Sequence, residues 1–337
     1  MKPPHITLAA VTTAALLSLS SIALAATKIT VGDVPGGNTL FLPSYVAMDR
    51  GFFKKEGLDA SWVRLVGKNL GNAALAGKVD FVPINTVAAL AALHGAPVLY
   101  VAGQSLSSQW TIVSAKSIGK PEDLKGKTVA YGQPGGANYD EGARVLSRFF
   151  HMEPGKDYKV ISFQRQPDEV AALINGDVQA ALLTPAAMVT AEKAGFKVLI
   201  RTGQFLPRLG GTLWTLKPYA DQHPDTVKAF IRAIAEAIMY IRTNKDGTMP
   251  VIKTYLNIED PQEQGLLWQE LHDLYEATIP ENLFRDTFEA RRNEMISLGQ
   301  WAKDKPLPDL HQFLASKLLD ESLKEVHYVS VETKPAH

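Results

Sequence analysis

Residues 72–90, NAALAGKVDFVPINTVAAL, and residues 170–188, VAALINGDVQAALLTPAAM, follow one plan. In each, a small-residue helical stretch runs into a glycine, Gly77 or Gly176, placed where a helix end calls for a left-handed residue. A short strand led by Val79 or Val178 follows. A polar residue then opens a new helix: Asn85 or Thr86 in the first unit, Thr184 in the second. Two copies of this unit predict two lobes built alike.

The surrounding chain repeats the same grammar. From Lys28 the runs KITVGDV, LDASWVRLV, KVDFVPI and APVLYVAG alternate with helical stretches, and after WTIVSAK the runs KTVAYG, YKVISF, DVQAALLT and FKVLI do the same. Strands alternating with helices indicate βαβ units and mainly parallel sheets. Beyond residue 217 the pattern is helical. Val227, Phe230, Ile231, Ile234, Ile238 and Ile241 form one apolar stripe, with Pro224 suited to the first helical position, and further helices are expected at 261–277, 283–298 and 308–320. These helices have no strands of their own and should pack back onto the first lobe. The expected fold class is α/β, with two lobes of mainly parallel sheets flanked by helices and a helical C-terminal region. Lobe 1 should comprise 26–112 plus 214–337 and lobe 2 113–213, with crossings in WTIVSA, 110–115, and TLWTLK, 212–217. Two adjacent crossings make a hinge, and a hinge between open α/β lobes puts a cleft at the carboxyl ends of their strands.

Composition narrows the function. The chain has 337 residues, and the roughly 310 beyond its first segment exceed what one hydrophobic core usually holds. That first segment has a basic start at Lys2, an apolar stretch from Leu8 to Leu24 and a small-x-small box at Ala23-Leu24-Ala25, which predicts a signal peptide over residues 1–25 and a periplasmic mature protein. A retained membrane anchor is the alternative, but the run is short for a span and rich in Ala, Ser and Thr. Cysteine is absent, which removes disulfides, thiolate metal sites, cysteine nucleophiles and a lipid-modified cysteine together. Thirty-five basic residues balance thirty-five acidic ones, so no nucleic-acid or membrane-surface partner is indicated.

PSYVAMDRGFFKKEGLDASWVRL (43–65), ALAGKVDF (74–81) and IGKPEDLKGKTVAYGQPGGANYD (118–140) resemble periplasmic substrate-binding proteins of ABC importers, in the nitrate, sulfonate and taurine family that includes the NMT1/THI5-like binders. GFFKKEGL and PEDLKGKTVA in this order are specific for the family and not for a ligand. The resemblance implies a Venus-flytrap fold of type II, capture of a small-molecule ligand between lobes, and delivery to a membrane permease with a cytoplasmic ATPase. It also implies ligand contacts in the loops PGGN at 35–38, GKN at 67–69, NT at 85–86 and GQPGGANY at 132–139, hence Gly37, Asn38, Asn69, Asn85, Thr86, Gln133, Gly136, Asn138 and Tyr139.

The residues themselves support capture more than catalysis. GQPGG is neither GxxxxGK[ST] nor GxGxxG, and no lysine follows it into a helix, which argues against a nucleotide loop and leaves a cradle for a smaller polar or acidic group. A tight turn capped by Asn138 is the plainer alternative. Asn38, Asn69, Asn85, Thr86 and Thr184 all fall at strand-to-helix junctions, where each is equally a helix cap; together they offer neutral hydrogen-bonding groups. Lys68, Arg165 and Arg208 are basic candidates for an anion, or solvated surface charges, and Arg208 is retained as a site residue. Phe41, Trp110, Tyr139, Phe163 and Trp214 could wall a cleft or fill the core.

No catalytic residue, metal ligand or cofactor is expected: the eight histidines show no HExxH spacing and no GxSxG elbow occurs. Asp140 and Glu141 are adjacent on a helix, point about 100 degrees apart and suit a helix N-terminus. The same family likeness includes a cysteine-containing, iron-using pyrimidine synthase branch, from which a cysteine-free chain departs. The expected protein is a monomeric importer component; an enzyme-like relative and a ligand sensor docking on a membrane receptor are the alternatives.

Overall fold

The computed structural model describes residues 26–331 apart from 36, 66, 84, 135, 136, 207 and 208, and at 67, 68, 85, 86 and 137 the backbone alone. The expected signal peptide, 1–25, lies outside the described residues.

In chain order, β1 (Thr27–Asp33), α1 (Leu42–Asp49), α2 (Phe52–Lys55), β2 (Leu58–Arg64), α3 (Gly67–Leu75), α4 (Asn85–Leu93) and β3 (Val98–Ser105) come first. They are followed by β4 (Thr111–Ser114), β5 (Thr128–Tyr131), α5 (Ala137–Phe150), β6 (Lys159–Ser162), α6 (Gln166–Asn175), β7 (Ala180–Leu183), α7 (Pro185–Lys193) and β8 (Lys197–Arg201). β9 (Gly211–Leu216) leads into α8 (Lys217–Gln222), α9 (Pro224–Thr243), α10 (Lys245–Leu256), α11 (Pro261–Leu271), α12 (Glu281–Ser297) and α13 (Ser316–Glu325). Gly77 and Gly176 both carry positive φ, +70° and +81°, as helix-terminating residues do.

The second sheet runs β6-β5-β7-β4-β8, with β5 parallel to β6 and β7 and only β4 reversed. The first sheet has the same order. β2 pairs with β1 in parallel, and β1 meets Phe81 through bonds from Phe81 N–H to Thr30 (3.1 Å) and Gly32 N–H to Phe81 (2.8 Å). Val82 and Trp214 exchange bonds at 2.9 and 3.1 Å, and β9 pairs antiparallel with β3. The order is thus β2-β1-(81–82)-β9-β3, and the quoted segments occupy equivalent central places. Four strands of each sheet run one way and one, β9 or β4, runs back.

The C-terminal helices complete the first sheet. Phe230 of α9 stacks on Phe81 and on Phe53, with centroids 3.7 and 5.4 Å away. The helices expected over 261–277 and 308–320 are shorter or broken, and both interruptions touch β3. Gly103 N–H donates to Ala277 (2.8 Å) and Ala315 N–H to Tyr100 (2.9 Å), so extended pieces cover an edge strand that would otherwise offer unpaired backbone groups. The crossings are also earlier than expected. Residues 111–114 are already β4 and 211–216 already β9, so the chain passes between the sheets in 106–110 and 202–210.

Candidate functional site

At the carboxyl ends of β5, β6 and β7, helices α5, α6 and α7 all begin, and their first turns aim backbone N–H groups at that edge. Side-chain amides tie the three junctions together. Gly132 N–H donates to Asn138 Oδ1 (2.7 Å), and Asn138 Nδ2 donates to the Leu182 carbonyl (2.8 Å). Gln166 Nε2 reaches the same carbonyl at 3.4 Å, while its Oε1 accepts from Thr184 N–H (2.8 Å). Thr184 Oγ1 caps α7 by accepting from Ala187 N–H (3.4 Å). Asn138 and Thr184 are therefore brought to one place, and both side chains bond to backbone. Gln133 is exposed, and Tyr139 is half-buried edge-on against Tyr131, centroids 5.4 Å apart. Gly136, with Gly135, lies outside the described residues.

One group at this edge escapes sequence reasoning. Glu169, in the first turn of α6, is 1% exposed, and burial pushes its carboxyl up to about 8 against the opposing effect of a hydrogen bond with Gln166. It is a mostly neutral acid at neutral pH. The Gln166–Glu169 spacing at a helix start was the available signal, but spacing carries no information about burial.

The first lobe's edge is built from charges. Asp33 ends β1, and its carboxylate accepts from Tyr45 OH (2.6 Å), Val34 N–H (2.8 Å) and Arg64 Nε (2.7 Å). Asn38 N–H donates to Tyr45 OH (3.2 Å), and Asn38 Oδ1 caps a 3-10 turn by accepting from Leu40 N–H (2.9 Å). Burial and the neighbouring Asp33 raise the Tyr45 hydroxyl well above the ordinary tyrosine range, so it stays a donor. Tyr255 stacks on Tyr45 at 4.6 Å. Gly37 has φ +76°, and a Cβ there would lie 2.0 Å from the Tyr255 carbonyl oxygen, so only glycine fits. Asp33, Tyr45 and Arg64 are residues the sequence did not single out; the register pairing Asp33 with Arg64 across β1 and β2 brings them together.

The remaining candidates divide. Asn69 is exposed on α3, and Asn85 and Thr86 open α4 with side chains outside the description, as is that of Lys68. Arg165 is exposed at the start of α6, and Arg208 lies outside the described residues. Phe41 and Trp214 belong to the core, the packing alternative rather than the cleft-wall one. Trp110 and Phe163 are half-buried. The lobes meet where Lys193 of α7 bonds Asp260 and Glu263 (3.2 Å) and Arg201 of β8 pairs with Glu270 at 3.1 Å. Among the described residues no group of three acidic or histidine side chains could hold a metal.

Oriented amides, hydroxyls, helix N-termini and one half-exposed guanidinium can bind a small polar group reversibly. The chain is 29% identical over 213 residues to the taurine-binding periplasmic protein of Escherichia coli K12, an alignment covering 60% of this chain and 64% of that relative's length. In fold it is similar to the periplasmic aliphatic sulphonate binding protein SsuA of Escherichia coli (TM-score 0.70, 18% identity, 91% of this chain and 94% of that one). It is similar also to the periplasmic nitrate-binding protein NrtA of Synechocystis PCC 6803 (TM-score 0.64, 16% identity, 89% of each chain). The two-lobed fold is that of periplasmic binding proteins. The family model described as NMT1/THI5 like matches residues 38–247, well over half of the sequence, and the chain belongs to that family.

Proposed function

We propose that this protein captures a small polar or anionic solute, of the sulfonate, taurine, nitrate or pyrimidine-precursor type, between its two lobes and delivers it to the permease of an ABC importer. The observation that carries this is the repeated sheet order with hydrogen-bonding junctions at the carboxyl edge of each sheet, one edge holding Asp33, Tyr45 and Arg64 and the other three helix N-termini. Helix N-termini favour an anion, and a guanidinium held by Asp33 through Nε keeps its other N–H groups for a partner. Ligand would bind the open form through one lobe and stabilise the closed form through both, because only contacts differing between the two forms shift the balance. The lobes are taken as 26–105 with 211–331, and 111–201.

The periplasmic location rests on the apolar segment at 1–25 and on the names of the relatives; no described helix is long and apolar enough to cross a membrane. Capture rather than turnover is favoured because the amides at the second edge are bonded to backbone and the sequence offers no cysteine nucleophile. The test is a thermal-shift screen of mature protein with taurine, aliphatic sulfonates and nitrate. A ligand at 100 times its Kd adds about 2.7 kcal/mol to the folded state. Mass spectrometry of the recovered ligand then decides: unchanged compound supports capture, and product formation overturns it. Loss of uptake in a deletion strain separates an importer component from a sensor.

A further inference from the structure

The two passages between the sheets, 106–110 and the described residues 202–206 and 209–210, are pressed against each other. Thr202 N–H donates to the Trp110 carbonyl (3.0 Å) and Gly210 N–H to that of Ser105 (2.9 Å). A Cβ on Gly203 would sit 2.5 Å from the Ser108 carbonyl oxygen, and one on Gly210 1.8 Å from that of Ser107. Both glycines are required by close approach rather than by a turn.

Into this junction comes one carboxylate from the second lobe. Glu141 of α5 is buried, and its Oε1 bonds the hydroxyls of Ser108, on the first passage, and Thr202, on the second; the Thr202 hydroxyl also lies 2.9 Å from the Trp110 carbonyl. On the other side, Gln109 Oε1 accepts from the Thr39 hydroxyl (2.9 Å), directly after the Asn38 loop of the first lobe. Ser108 and Thr202 are thus bonded to the helix that follows one candidate ligand loop, and Gln109 to the residue that follows another. Glu141 lies one turn beyond Asn138 on the same helix, so a displacement of the 132–139 loop that moves α5 moves the carboxylate as well. A buried carboxylate is costly unless its oxygens are bonded, and here the bonds go to both passages at once.

We propose that Glu141 is a positioning residue for capture: it pins the two passages to α5 and thereby sets the angle between the lobes. This rests on capture by lobe closure. The experiment needs no ligand, so its failure would leave the capture proposal standing, and failure of every ligand in the screen would leave the pin standing.

The chain has no cysteine, so Lys78→Cys and Asp177→Cys, both exposed and one in each lobe, take spin labels without a background site. Inter-label distances are then measured in ligand-free protein. Glu141→Leu, which has no acceptor for either hydroxyl, should shift or broaden the distribution beyond the parent spread. Ser108→Ala combined with Thr202→Val removes the donors instead and should reproduce the leucine result; it carries the test if the leucine variant does not fold. A parent-like distribution in the donor-free variant overturns the proposal.

Discussion

The two lobes share a sheet order but finish their carboxyl edges with different chemistry. In the first, Asp33 gathers Tyr45 and Arg64, and the cluster is charged and partly open, with Arg64 54% exposed on its side chain. In the second, Asn138 and Gln166 bond backbone groups from neighbouring junctions, and the cluster is neutral and enclosed. Identical topology therefore does not dictate an identical edge. A charged pair leaves donors that can swing toward solvent, whereas an amide bonded on both sides holds the loop it serves.

That contrast can be broken most severely at Asn138. Asn138→Leu leaves the Gly132 N–H and the Leu182 carbonyl with one partner fewer and should cost the ligand-free protein about 3 kcal/mol, read by denaturant unfolding. A melting curve unchanged by this substitution would mean that the amide is not the staple of the second edge.

Glu169 tests how enclosed that edge is. Folding raises its pKa from 4.5 to about 8, so the folded chain keeps a proton that the unfolded chain releases between those values. Its contribution is favourable and fully present below pH 4.5, declines as pH rises, and is lost once pH passes about 8. Glu169→Gln should then flatten the pH dependence and stabilise the protein at pH 8 by on the order of 2 kcal/mol. Parallel pH profiles for the parent and the variant would show that the acid is not held neutral.

At the first edge the effects should be smaller. Asp33→Asn keeps an acceptor for Tyr45 but weakens the charge-assisted bond from Arg64, at about 1–2 kcal/mol in thermal unfolding. Arg64→Gln replaces a half-exposed, screened cation by an amide that can still donate to the buried Asp33 carboxylate, so it should cost about 1 kcal/mol or less, with most of the difference gone in 1 M salt. An Arg64 variant that costs more than the Asn138 variant would reverse the comparison between the edges.

Much of the second edge was legible in the sequence because its signals are local. Gly176, Thr184 and Asn138 sit at turn and cap positions whose chemistry acts over a few residues, and KTVAYGQPGGANYDEGARVLSRFF can be read as strand, turn and helix without knowing what lies opposite. Whether Asn138 was a cap or a ligand contact was not legible, because its second partner, Leu182, is 44 residues away. Asp33, Tyr45 and Arg64 were not legible as a set for the same reason: their meeting depends on the parallel register of β1 with β2 and on α1 folding back over β1. Helical position suits Glu141 to a helix N-terminus for the dipole, yet its side chain is turned inward to Ser108 and Thr202. Helical spacing says which neighbours a side chain has on its own helix and nothing about which passages cross beneath it.

The amino-acid sequence by itself determined the α/β class, the repeated lobe plan, the helical C-terminal region and the family, since periodicity, glycine placement and motif order are short-range properties. The tertiary structure alone decided that 314–315 and 275–277 cover the edge of β3, that the passages lie at 106–110 and 202–210, and that one edge is charged while the other is neutral. Those features are pairings between segments far apart in the chain. Which segments meet is set by the packing of whole sheets and helices, a choice that no window of neighbouring residues contains.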